Sequence, residues 1–241
     1  MVLSVGYHGW SSGHLPGYGV YTAPWGNLGR LEKTMRNCYI AGVLLEPMRD
    51  GDPPPGYLQG VQDLCRKYQA VFIVDEIVTG FRWATGGATE LYGLDPDICC
   101  YSKAMANGHP QAAIVGKRAI MEYAEGVSST FGGTCDGLAA VRATCRVYRE
   151  EGVIERLWAM GRALMAGMAS AGHPMTGCAV HPRFVSEEVL EGDTWHVIPT
   201  DVRALTHRMA AQGALCHPAG LNPMFTHTEK DVAQTVEAAH A

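Results

Sequence analysis

Short apolar runs alternate with helix-length amphipathic stretches over the first two thirds of the chain. The opening VLSVGY reads as an interior strand. Tyr39 to Leu45 (YIAGVLL) reads as another and stops at Glu46-Pro47. A Pro-rich turn over 52–56 leads into a helical stretch near Tyr57 to Tyr68, where Leu58, Val61, Leu64, Cys65 and Tyr68 recur at helical spacing. Val71 to Val74 (VFIV) has the texture of a fully buried strand and ends in Asp75-Glu76. Ile98 to Tyr101 (ICCY) ends at Ser102-Lys103, and Ala112 to Val115 (AAIV) follows. Strand, helix, strand in repetition predicts an α/β fold, a mostly parallel sheet covered by helices in three layers. In such sheets ligands bind beyond the carboxyl ends of the strands, which here carry Glu46, Asp75, Glu76 and Lys103. From Asp136 to about Met168 a long helical pattern is interrupted at Glu151-Gly152. Beyond it the pattern shortens to strand and turn pieces with three His-Pro pairs, then a last helix from about Thr228 to Ala239. The change of texture places a boundary near residue 155, with a large domain over 1–155 and a small α+β domain over 156–241.

Composition narrows the classes. The chain has 241 residues, 47% of them hydrophobic and 18% charged, with 29 Gly and 13 Pro, which excludes disordered, collagenous and coiled-coil proteins. A net charge of −5 without any block of like charge gives no electrostatic footprint for nucleic acid or an anionic membrane. No run reaches the roughly 20 apolar residues of a membrane span, and the start lacks the charged head and apolar core of a signal peptide. The eight cysteines are scattered without a C-x-x-C pair, so they read as reduced thiols of a cytoplasmic protein.

Lys103 is the strongest chemical oddity, because a lysine just past a buried strand stands at the heart of an α/β sheet. Asp75 ends the neighbouring apolar run. A structural ion pair is one reading of the two. The other is a pyridoxal phosphate site, since that cofactor is held covalently on a lysine while an acidic side chain keeps its pyridine nitrogen protonated. The lysine must also shed a proton to act as nucleophile and base. Competing chemistries lack their motifs. There is no H-E-x-x-H or Cys/His cluster for a metal, no G-x-S-x-G elbow and no G-x-x-x-x-G-K-[ST] loop. The Gly-rich start has no G-x-G-x-x-G match.

DEIVTGFR (Asp75 to Arg82) followed by YSKAMANGHP (Tyr101 to Pro110) resembles the core signature of class III, fold-type I, pyridoxal-phosphate-dependent aminotransferases. Within that family the chain is most similar to the glutamate-1-semialdehyde aminomutase branch. GYHGW (Gly6 to Trp10), GVLLEPM (Gly42 to Met48), GYLQGVQDLCRKY (Gly56 to Tyr68) and SSTFGGT (Ser128 to Thr134) fall in the family's order, and NPMFTHTEKDVAQTVEAA (Asn222 to Ala239) resembles that branch's carboxyl-terminal segment.

The resemblance implies a catalytic Lys103 that holds the cofactor and shuttles the proton, and an Asp75 that pairs with the pyridine nitrogen. Tyr7 would stack on one ring face. Ile77 would pack against the other, or serve only as core. Thr130 would donate its hydroxyl and backbone N–H to the phosphate of a partner subunit's cofactor, in a homodimer with shared active sites. Glu46 would either contact substrate or cap its strand, and His8 would give hydrogen-bonding support to the cofactor rather than catalysis. The substrates implied are a small amino acid or amino-aldehyde as donor and a keto acid as acceptor. An internal 2,1-amino shift shares the same steps.

The departures from the family carry weight too. Relatives have, ahead of the YHG segment, a Gly-Ser/Thr loop opening a helix whose N-terminus cradles the cofactor phosphate. This chain has no such loop, and its large domain is expected to be truncated at the amino end. Val78 stands where many members place a glutamine for the ring hydroxyl, and Cys178 to Ala210 looks compressed. A reading of another class follows, a folded but inactive fragment or a split subunit needing a partner that carries the phosphate loop. Exposed sheet edges and interface surface are the expected aggregation hazard of that truncation.

Overall fold

The computed structural model describes residues 2–4, 21–48, 52–124, 130, 132–185, 200–218 and 220–240. These fall into two compact units, one reaching Glu151 and the other comprising Asp52 and the residues from Gly152 onward. In the first, strands β1 (Val2–Ser4), β2 (Tyr21–Ala23), β3 (Gly42–Leu45), β4 (Val71–Asp75), β5 (Ile98–Tyr101) and β6 (Ala113–Gly116) form one sheet in the order β2-β1-β3-β4-β5-β6. All neighbours are parallel except β5 and β6, which run antiparallel. The chain is thus α/β with a mixed, mostly parallel sheet.

Alternation along each strand divides its side chains between two faces. Val43 and Leu45 of β3, Phe72 and Val74 of β4 and Cys99 of β5 are buried against helices α1 (Leu28–Asn37) and α2 (Tyr57–Lys67). The helices meet them with Leu31 and Met35, and with Leu58, Val61 and Cys65. The Asn27 side chain caps α1 by accepting the Arg30 N–H at 2.9 Å. Gly56, at φ +74°, turns the chain out of the Pro-rich segment and into α2. Residues on the opposite face of the sheet, Leu44, Ile73 and Cys100, are only half-buried. On the edge strand β6, Ile114 and Val115 are half-exposed.

α1 is a helix that the strand-and-helix reading did not predict, and its sequence explains why. Only Leu28, Leu31 and Met35 mark its apolar stripe among charged neighbours, and Leu31 and Met35 are the residues buried. After Leu91, which closes the short α3 (Ala88–Leu91), comes another short helix, α4 (Arg118–Met121). α5 (Cys135–Glu150) and α6 (Val153–Ser170) follow, broken between them at Gly152 with φ +58°.

In the second unit α6 packs with α7 (Thr200–Ala211) and α8 (Glu229–His240) around Leu164, Met168, Leu205, Met209, Leu221, Ala238 and Ala239. A two-strand antiparallel ribbon joins β7 (Met175–Thr176) to β8 (Arg183–Phe184). α7 corrects the expectation of short strand and turn pieces across this region. Val202, Leu205, Thr206 and Met209 supply a one-sided helical stripe too narrow to stand out beside the His-Pro turns. Thr228 and Asp231 cap α8 reciprocally, each accepting the other's backbone N–H, at 2.7 Å and 3.3 Å. Gly161 lies so close to the Ala179 carbonyl that any Cβ there would overlap it.

Phe72 is the largest of the β4 side chains buried between the sheet and the two helices. Phe72→Ala is expected to cost about 3–5 kcal/mol of unfolding free energy in urea titrations, the range for emptying an aromatic core site. Tyr123→Ala, at a site 85% exposed, is expected to stay within about 0.5 kcal/mol.

Candidate active site

Because β3, β4 and β5 are parallel, their carboxyl ends meet at one edge of the sheet. The register sets Leu45 against Val74, which puts Glu46 level with Asp75, and sets Asp75 against Cys100. Three residues beyond Cys100 stands Lys103. The face that points away from the α1/α2 core therefore delivers Glu46, Asp75 and Cys100 side by side, with the lysine just past them.

Asp75 is buried, and its Oδ1 accepts the Ile77 N–H at 3.0 Å. Burial pushes its carboxyl above the usual aspartate range, while the Ile77 N–H and the Lys103 charge oppose that shift and lose. Lys103 is accessible to solvent but surrounded by enough protein to lose hydration. That desolvation lowers its pKa against the pull of the Glu46 and Asp75 carboxylates. Both members of the pair are thus pushed toward their neutral forms, and loss of water outweighs their mutual attraction. A lysine in this state presents a neutral amine more readily than a surface lysine does, which is what nucleophilic and proton-transfer chemistry requires. Glu46 is buried, and its backbone carbonyl accepts the Trp25 indole N–H at 3.1 Å. Burial and the Asp75 charge push the Cys100 thiol up to about 11, so it is a poor nucleophile.

The backbone at Lys103 is itself unusual. The residue sits at φ +43°, in the left-handed region, at the head of a single 3₁₀ turn over Lys103–Met105. A non-glycine residue there costs about 1–2 kcal/mol, so surrounding contacts must impose it. Ser102 provides two of them. Its hydroxyl donates to the Gln111 carbonyl at 3.0 Å, and its carbonyl accepts the Met105 N–H at 3.0 Å. The Lys103 carbonyl accepts the Asn107 N–H at 3.2 Å, closing the turn.

Behind the sheet, on the side opposite Asp75, the next residue is fully buried. The Glu76 carboxylate accepts the Ala88 N–H at 3.0 Å, the Thr89 N–H at 2.6 Å and the Thr79 hydroxyl. Gly87, at φ +80°, leaves the space that this carboxylate fills. Tyr101 donates its hydroxyl to the Gly86 carbonyl at 3.1 Å and presses its ring against Gly80, where no Cβ would fit. Tyr148 of α5 donates to the Phe81 carbonyl at 2.5 Å. The loop between β4 and α3 is therefore tied at several points. Thr79 escaped the sequence reading, although its place three residues after a strand-end acid, next to a glycine, was a usable signal.

The structure brings Glu46, Asp75, Ile77 and Lys103 to one end of the sheet. Ile77 is half-buried beside the Asp75 carboxylate, and Val78 next to it is also half-buried. Thr130 stands exposed in a turn ahead of α5 and, among the described residues, makes no hydrogen bond with the other four. Tyr7 and His8 lie outside the described residues. Among the described residues no group of three His, Cys, Asp or Glu side chains is placed to hold a metal ion, and no helix is long and apolar enough to cross a membrane. All eight cysteines are free thiols.

Comparison with known proteins gives this site a family. The sequence model of the family described as Aminotransferase class-III matches residues 26–241. The glutamate-1-semialdehyde 2,1-aminomutase of Anaeromyxobacter dehalogenans strain 2CP-1 is 35% identical over 241 aligned positions, covering 90% of this chain and 56% of that protein. The 3-aminobutyryl-CoA aminotransferase of Cloacimonas acidaminovorans is 29% identical, covering 98% of this chain and 63% of its own length. Among solved structures, the FumI protein of Sphingopyxis sp. MTA144, in its PLP internal aldimine form, superposes with a TM-score of 0.85 at 25% identity, over 100% of this chain and 63% of that one. The chain spans 56% to 63% of the length of these relatives.

The desolvated Asp75 makes the site costly to fold. Because folding raises its pKa, the ionised carboxylate destabilises the native state at every pH above the unfolded aspartate range, about 4, and imposes no penalty below it. Asp75→Asn is accordingly expected to melt above the wild type at neutral pH in scanning calorimetry without added cofactor. The gap should close as the pH falls through about 4. An equal or lower melting temperature at neutral pH would mean that the Lys103 attraction outweighs desolvation.

Proposed function

The chain belongs to the class III aminotransferase family, and on that premise we propose that it binds pyridoxal phosphate at the Glu46–Asp75–Lys103 edge of its sheet and carries the proton-transfer residues of an aminotransferase. The observation that supports this most directly is the juxtaposition of a buried carboxylate, whose ionisation burial opposes, with a lysine whose protonation burial opposes, at the carboxyl ends of neighbouring parallel strands. That donor set fits the cofactor. A buried carboxylate with one backbone donor and a lysine for company keeps capacity for a cationic ring nitrogen, and a lysine poised toward its neutral form suits covalent attachment to an aldehyde.

In this reading Asp75 holds the protonated pyridine nitrogen and is itself kept ionised by that cation. Lys103 would hold the cofactor, and its Nζ would move a proton at the carbon bearing the substrate amine. Ile77 packs against the ring, and Glu46 sets the charge felt by Lys103 and borders the substrate. The bound group supplies an electron sink for the carbon that loses the proton. Tyr7 is assigned to ring stacking and His8 to hydrogen-bonding support, as the family motif implies. Thr130 is assigned, as the family motif implies, to the phosphate of a second subunit's cofactor in a homodimer with shared sites. A cytoplasmic location is part of the same reading, supported by the eight free thiols.

The substrates proposed are a small amino acid or amino-aldehyde and a keto acid. A 2,1-amino shift within one molecule is the second reading, favoured by relatives such as that of A. dehalogenans, whose name states that reaction. Supplying an amino donor with and without a keto acid separates the two, since the shift needs no acceptor. Another reading is a polypeptide that folds but binds the cofactor only with a partner bearing a phosphate-binding loop.

The test is a visible absorption spectrum of the purified chain with pyridoxal phosphate before and after borohydride, with mass spectrometry locating the reduced adduct. The expected result is an adduct on Lys103 that Lys103→Ala abolishes. A chain shown to be folded that forms no adduct overturns the reading. Recovery of the adduct only on co-expression with a loop-bearing partner would support the split-subunit alternative.

A further inference from the structure

Glu76 is a fully buried carboxylate that the proposed chemistry does not use, although it directly follows the residue on which that chemistry depends. The two carboxylates leave β4 on opposite faces. Asp75 faces Lys103 and Cys100, and Glu76 faces Cys99, Tyr101 and the loop behind the sheet. The Glu76 side chain collects the Thr79 hydroxyl and the Ala88 and Thr89 N–H groups. Its main chain is fixed as well. Its N–H donates to the Cys100 carbonyl at 2.9 Å, and its carbonyl accepts the Gly80 N–H at 2.8 Å. The segment held between Glu76 and Gly80 contains Ile77, the residue whose N–H reaches Asp75 Oδ1 at 3.0 Å.

We propose that Glu76 and Thr79 form a clamp behind the sheet that positions Asp75 by fixing the Ile77 peptide N–H against its carboxylate. Glu76 and Thr79 are thus positioning residues that act through Ile77 on the cofactor's ring partner. Ion-assisted hydrogen bonds to a buried carboxylate are among the stronger tethers a loop can have, and loss of one donor leaves the charge undersatisfied and the turn free to shift. Gly87 belongs to the clamp because the space a Cβ would need is taken by the Glu76 carboxylate. The proposal rests on the reading of Asp75 as the cofactor's partner for its consequence in catalysis. The clamp itself does not depend on that reading.

The test changes Thr79 rather than Glu76, so that the carboxyl group next to Asp75 is kept. Thr79→Val keeps the side-chain volume and removes the hydroxyl, Thr79→Ser keeps the hydroxyl, and Leu31→Ala destabilises the α1/α2 core without removing a hydrogen-bonding group of the clamp. The first readout is the titration of the Asp75 carboxylate by carbon-13 NMR without cofactor. Loss of the Ile77 hydrogen bond is expected to raise the Asp75 pKa by about one unit in Thr79→Val, with Thr79→Ser and Leu31→Ala at the wild-type value. The second is the pH at which the absorption band of added pyridoxal phosphate shifts, expected to move in Thr79→Val alone. A Thr79→Val protein that melts lower, as Leu31→Ala does, but titrates like the wild type overturns the clamp and leaves Thr79 merely structural. A wild-type chain that forms no adduct with pyridoxal phosphate overturns the cofactor reading alone, and the Asp75 titration still decides the clamp.

Discussion

The parallel pairing of β3, β4 and β5 is the constraint on which the rest of the site depends. In a parallel ladder every strand finishes at the same edge, so residues distant in sequence and following different strands are brought together there without any contact of their own to hold them. Glu46, Asp75 and Lys103 have that origin. Their closeness follows from the register that sets Leu45 against Val74 and Asp75 against Cys100. The hydrophobic packing of Phe72, Val74, Val43 and Leu45 on α1 and α2 holds that register, because a slip by one residue would turn the apolar side chains away from the helices and the carboxylates into them.

Desolvation then gives the site its chemistry. A carboxylate and an ammonium at a protein surface would settle as a hydrated ion pair of small consequence. At this edge the loss of water dominates for both groups, moving Asp75 up and Lys103 down despite their attraction. The arrangement costs stability, because both groups lose hydration that their mutual attraction does not restore. The left-handed backbone at Lys103 is a second cost at the same point, and Ser102 and the 3₁₀ turn sustain it.

The two faces of the sheet divide the labour. One is closed by helices and carries the packing energy. The other is polar at its end and half-exposed along its length, from Ile73 and Cys100 to Ile114 on the edge strand. Glu76 belongs to the closed side, where its carboxylate replaces hydrophobic packing with hydrogen bonds that tie the loop leaving Asp75. Adjacent residues of one strand therefore have unrelated tasks, since the pleat sends them in opposite directions.

The alternation of apolar runs with amphipathic stretches was enough to read the parallel α/β arrangement and the strand ends that carry Asp75 and lead to Lys103, because period and strand termination are local properties of the chain. α1 and α7 were not legible. Their apolar stripes of two to four residues gain meaning only when a sheet or another helix covers them, as Leu31 and Met209 are covered here. The antiparallel direction of β6 was also beyond the sequence, since a short apolar run reads the same in either direction. The clamp of Glu76 on Thr79, Ala88 and Thr89 joins a strand end to a helix start a dozen residues on, and no spacing rule marks it. The sequence by itself determined that Glu46 and Asp75 stand at strand ends and Lys103 just beyond one. Only the tertiary structure decided how far each is stripped of water, and with that the direction in which each exchanges its proton, because solvation depends on everything that packs around a group and not on its neighbours along the chain.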